Sequence, residues 1–65
     1  MTWQELCEKA KEMGYATYVK FEKQEVLRHN ITGFLFCNNG DCYIFKGLIH
    51  NRTPEQMLAI MEALR

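Results

Sequence analysis

Sixty-five residues leave room for one domain and one small core. At this length, apolar burial at about 25 cal/mol/Å² roughly balances the ordering entropy of the chain, which makes association with a second copy an economical source of stability. Eight basic residues offset eight acidic ones, so no net field exists to gather nucleic acid or an anionic membrane surface. No run of 18 apolar residues occurs, and the three cysteines are an odd count in a chain without a secretory signal pattern. These features set the expectation of a cytoplasmic chain in a reducing compartment, with no membrane span and no disulfide scaffold.

In chain order, Thr2-Trp3-Gln4-Glu5 has the spacing of a capping box, and Trp3, Leu6, Cys7, Ala10 and Met13 then recur at helical spacing. Gly14 suits the left-handed position just past such a helix. Tyr15 to Phe21 is rich in aromatic and β-branched residues and reads as a strand. Glu22-Lys23-Gln24-Glu25 interrupts the apolar pattern as a loop, the alternative being the first turn of a short helix. Val26 to Cys37 reads as a long second strand, bent where Asn30 and Gly33 break it.

Asn39-Gly40 is the strongest short-range hairpin signal in the chain. A two-residue loop there pairs Cys37 with Cys42, Phe36 with Tyr43, Leu35 with Ile44 and Phe34 with Phe45. It also brings His29 opposite His50. Thr53-Pro54-Glu55-Gln56 is a second capping box with proline at the first helical position, followed by an apolar stripe of Met57, Leu58, Ile60, Met61 and Leu64. The expected architecture is a single α+β domain over residues 1–65 in the order α-β-β-β-α, with two helices packed on one face of a three-stranded antiparallel sheet. This order resembles that of double-stranded RNA-binding domains and of small toxin ribonucleases. Pro54, Glu55 and Gln56 stand where the RNA-binding domains carry a lysine cluster, and the Gly-Ser-His-type motif of the toxins is absent.

Under that register Leu27, Ile31, Leu35 and Cys37 share the helix-facing side with Cys42, Ile44 and Leu48, while Phe34, Phe36, Tyr43 and Phe45 stand outward. Pairing Phe21 with Leu27 keeps Lys20 away from the helices, since an unpaired buried ammonium is costly. Four outward rings form a candidate partner-binding surface, because contiguous apolar area on a small protein commonly marks an interface. Were the faces reversed, the same rings would simply be core.

Other chemistry is weaker. Cys37 beside Cys42 would form a cross-strand pair at the short end of disulfide geometry, a candidate redox hairpin. Cys37, Cys42, His29 and His50 have zinc-ligand chemistry, but eight strand residues at about 3.3 Å each would hold the histidines roughly 26 Å from the thiols. No metal or other cofactor is expected. His29 and His50 lack a neighbouring nucleophile, and no phosphate-binding loop occurs, so an enzyme is not expected. The reading is a non-enzymatic module that binds a protein partner or a second copy of itself, as a homodimer. A single-strand nucleic-acid binder stacking bases on the aromatic face is the alternative, disfavoured by the neutral charge.

Overall fold

A computed structural model describes all 65 residues, in the order α1 (Trp3–Lys11), β1 (Tyr15–Lys20), β2 (Gln24–His29), β3 (Leu35–Cys37), β4 (Cys42–Ile44), β5 (Gly47–Ile49) and α2 (Pro54–Ala63). Both helices begin at the capping boxes that the sequence announces. Thr2 Oγ1 accepts from the Glu5 amide while Glu5 accepts from the Thr2 amide, and Thr53 and Gln56 repeat the exchange at α2. Each box satisfies two of the four N–H groups that a helix start leaves without a partner.

The sheet is an antiparallel meander of five strands in the spatial order β1-β2-β3-β4-β5, not the three expected, and the element order is accordingly α-β-β-β-β-β-α. The extra strands arise because Val26 to Cys37 and Cys42 to His50, each expected to run as one strand of the hairpin, both fold back on themselves. The stretch read as one bent strand reverses between His29 and Phe34: His29 donates its amide to the Phe34 carbonyl at 2.9 Å, and Gly33 donates to the His29 carbonyl at 3.1 Å. His29 Nδ1 accepts from the amides of both Ile31 and Thr32 at 3.2 Å, holding this reversal from inside. The second reversal is a two-residue loop at Phe45-Lys46, with Phe45 at φ +51°.

The turn at Asn39-Gly40 also differs from expectation, by one residue. Cys37 donates to the Asp41 carbonyl at 2.8 Å and Gly40 donates to the Cys37 carbonyl at 2.9 Å, so three residues, Asn38 to Gly40, form the loop. Gly40 takes the left-handed position at φ +98°, the arrangement of a three-residue hairpin with glycine last. Phe36 therefore pairs with Cys42 and Leu35 with Tyr43. Because side chains alternate with period two, a slip of one residue exchanges the two faces of the strand.

The face turned to the helices accordingly carries Leu27, Phe36 and Cys42, which form one core with Trp3, Leu6 and Ala10 of α1, Met57 and Met61 of α2, and Tyr15. Phe36 is 0% exposed, where a two-residue loop would turn it outward. Glu25 on the same face accepts a hydrogen bond from Trp3 Nε1 at 3.1 Å and ties the start of α1 to the sheet. The first strand runs Tyr18 opposite Val26 and Lys20 opposite Gln24, four residues from the expected register and hence with the same side facing the helices.

Gly40 is fixed by more than its own turn. Its carbonyl accepts from Arg52 N–H at 2.9 Å, and a Cβ at this position would meet the Arg52 carbonyl oxygen at 2.9 Å. The β3–β4 turn is thus seated on the β5–α2 connection. Gly40→Ala adds this backbone clash to the roughly 1–2 kcal/mol that a left-handed conformation costs a residue with a Cβ. Thermal unfolding should record a loss of about 2 kcal/mol or more. Phe36→Ala should cost about 3–5 kcal/mol, as truncation of a buried phenylalanine does, enough to unfold much of a chain this small.

Candidate functional site

The face of the sheet away from the helices has no covering layer. By register it carries Ala16, Tyr18 and Lys20 on β1, Gln24, Val26 and Arg28 on β2, Leu35 and Cys37 on β3, Tyr43 on β4 and Leu48 on β5. Val26 and Cys37 are nevertheless buried, at 0% and 1% exposure. The β1–β2 loop accounts for this: Phe21, Glu22 and Lys23 all have positive φ, a tightly coiled reversal. It delivers the Phe21 ring across the sheet to stack on Tyr43, with centroids 5.9 Å apart and planes 23° from parallel. Phe21, Tyr18 and Leu48 remain substantially exposed around this centre. The result is a bare apolar patch with a closely packed middle.

Charge on this face is mainly basic. Lys20 and Arg28 project from its strands, and neither joins an ion pair. Its carboxylate, Asp41, is already engaged: Oδ1 lies 2.8 Å from His50 Nδ1, Oδ2 accepts from Asn39 Nδ2 at 3.3 Å, and its amide donates to Asn39 Oδ1.

The sequence-derived site residues scatter. Of the four rings expected outward, Tyr43 is on the open face. Phe36 is core, Phe34 packs half-buried against the core edge, and Phe45 stands at the β4–β5 turn, 77% exposed and edge-on to Phe34 at 5.1 Å. Sequence reasoning passed over Tyr18, Phe21 and Leu48. The alternation of Tyr18 and Lys20 against Thr17 and Val19 does carry a signal for Tyr18, but no local signal announces that Phe21 reaches a strand three places away.

Cys37 and Cys42 lie on opposite faces of the sheet, Cys37 with Val26 and Cys42 with Phe36, and both are free thiols. Their Cβ bonds diverge, so a disulfide between them would require the hairpin to rebuild. Burial pushes the Cys42 thiol up to about 11, and burial reinforced by the Asp41 carboxylate raises Cys37 as well. Cys37 at the end of β3, Asp41 just before β4 and His50 just after β5 do stand in a row on the open face. The carboxylate, however, stands between thiol and imidazole, where it disfavours the thiolate that a nucleophile requires.

His29 and His50 are separate: half-buried His29 packs edge-on to Tyr15 and spends Nδ1 on two main-chain donors, while His50 pairs with Asp41. His29 borders an open groove of about 430 Å³ between the ends of α1 and α2 and the 30–34 reversal, lined also by Met13, Phe34, Met61 and Leu64. No three of the histidine, cysteine and carboxylate groups are placed to share a metal ion. No helix is long and apolar enough to cross a membrane. Comparisons with protein-family models, curated proteins and solved structures find no match.

Two measurements follow from the thiols. Alkylation of the native protein at pH 8 should modify half-buried Cys7 first and leave Cys37 and Cys42 protected, with all three reacting on unfolding; fast paired loss of Cys37 and Cys42 would contradict the opposed faces. A folded-state pKa raised from 9 to about 11 means that the folded chain holds the Cys42 proton more tightly than the unfolded one. Stability should therefore fall as pH rises through that interval, and Cys42→Ala should flatten this part of the profile.

Proposed function

We propose that this chain is a small non-enzymatic protein-interaction module that takes a protein partner on the open face of its sheet. The observation that carries the reading is the Phe21–Tyr43 stack over buried Val26 and Cys37, rimmed by exposed Tyr18 and Leu48. Antiparallel sheets commonly leave one face to solvent, but that face is then polar. Here it offers preassembled rings, and large aromatic groups around a water-excluding centre are what interface hot spots consist of. Holding the rings in place beforehand lowers the ordering entropy that binding would otherwise cost. Lys20 and Arg28 beside the patch favour a partner segment that combines apolar side chains with carboxylates. The order of Cys37, Asp41 and His50 supports binding over catalysis, and three unbridged cysteines fit a reducing, cytoplasmic setting.

The same two cations beside three rings favour a second reading, in which a single nucleic-acid strand stacks its bases on Tyr18, Phe21 and Tyr43. A peptide-display library panned on the wild-type chain, alongside titration with a fluorescent oligouridylate, separates the two. The protein reading predicts selected peptides that lose about 30-fold or more in affinity to Tyr43→Ala or Phe21→Ala, the loss expected at a hot spot, and none to Glu8→Ala on the outside of α1. Saturable, salt-sensitive oligonucleotide binding lost in the same variants would install the second reading. Peptides that map only to the helix layer would overturn both.

A further inference from the structure

We propose that two copies of this chain dimerise by pairing their β1 strands edge to edge, in antiparallel register about Tyr18, to make one continuous ten-stranded sheet. The pairing rests on main-chain geometry, whatever docks on the open face. β1 is an outer strand of the sheet, and the phase of its hydrogen bonds can be read from its neighbours. Asn30 donates to the Gly14 carbonyl, so even-numbered positions, Ala16, Tyr18 and Lys20, exchange bonds with β2. His29 to Phe34 and Asn38 to Glu25 confirm the count on the far side, where odd-numbered positions of β2 bond to β3. Amides and carbonyls of Thr17 and Val19 consequently point out of the sheet edge.

Such an edge invites another strand, and proteins that keep theirs free blunt it with proline, a bulge, inward charges or brevity. β1 has none of these. It runs six residues in unbroken register without proline, and its one charged residue, Lys20, is at its end. The strand at the other edge, β5, has only three residues. Thr17, Tyr18, Val19 and Lys20 are all exposed, Val19 to 66%.

A second copy fits this edge because the strand is complementary to itself. A two-fold axis through Tyr18 sets Thr17 opposite Val19 of the second copy and Val19 opposite its Thr17. The residues whose main-chain groups point outward thus meet each other, exchanging four N–H···O=C bonds. Tyr18 meets Tyr18 in the non-hydrogen-bonded position, where side chains approach most closely. Lys20 meets Ala16, so no like charges oppose one another. Both helix layers fall on one side, and the two open faces join on the other.

Light scattering across a concentration series, with paired charge variants, tests the register. Wild-type protein should pass from monomer to dimer. Thr17→Lys/Val19→Lys places lysine opposite lysine twice and should raise the dissociation constant by at least about tenfold, without altering the circular dichroism spectrum. Thr17→Lys/Val19→Glu places lysine opposite glutamate and should restore the dimer in a salt-sensitive way. Amide exchange on the unmodified chain gives a check that no variant can spoil: on raising the concentration, Thr17 and Val19 should gain protection while Ala16, Tyr18 and Lys20, already bonded to β2, change little. A wild-type chain that stays monomeric at millimolar concentration overturns the proposal, as does a dimer that survives Thr17→Lys/Val19→Lys. Loss of the dimer in that variant with display-peptide binding intact would separate the edge from the open face.

Discussion

The hydrogen bond from Cys37 to the carbonyl of Asp41 sets the sense of the whole sheet. It closes a loop of three residues in place of two, and the parity it imposes decides that Phe36 and Cys42 go under the helices while Cys37 and Tyr43 go to the open side. One added loop residue thereby converts an aromatic face plus an aliphatic face into two mixed ones. The turn cannot drift back, because Gly40 is held against the Arg52 backbone with no space for a Cβ.

With that parity fixed, the layers divide the chemistry between them. The helix side is closed and apolar, with Trp3 clamped to Glu25 and two methionines of α2 filling the interior. Methionine suits this position because its unbranched chain adapts to the irregular gap between a thin sheet and a helix. The other side keeps Val26 and Cys37 dry beneath a ring borrowed from a loop. That loop runs through three non-glycine residues at positive φ, and Phe45 forms a second turn in the same unfavourable region. Conformational strain of this kind persists only where surrounding contacts over-determine it; for Phe21 the contact is the stack on Tyr43, and for Phe45 it is the edge-on packing against Phe34.

Local chemistry was the part of this fold legible in the sequence. Thr2 with Glu5 and Thr53 with Gln56 declare both helix starts, because a capping box is complete within four residues. Gly14 past the first helix and a turn at Gly40 were equally visible. The strand count was not, since the reversal at Phe45-Lys46 uses neither glycine, asparagine nor proline, and Asn30 and Gly33 fit a bend in one strand as well as the full reversal that they make. Asn38-Asn39-Gly40 admits both a two-residue and a three-residue loop with glycine left-handed, and only the packing of Phe36 on Leu27 and the helices chooses between them. Of the four rings expected outward, Tyr43 stands on the open face as its alternation implied. Phe21 was not legible, because its role depends on a contact across the sheet.

Phe36 belongs to the interior while Phe21 and Tyr18 belong to a bare sheet face, and proton NMR in the presence of a soluble paramagnetic agent tests that division most directly. The structure predicts that ring resonances of Tyr18 and Phe21 broaden strongly, together with the Leu48 methyls, while those of Phe36 stay sharp and show nuclear Overhauser contacts to Leu27 and Met57. Broadening of Phe36, with Leu35 and Cys37 protected beneath the helices, would mean that the turn closes over two residues and that the two faces of the sheet are exchanged.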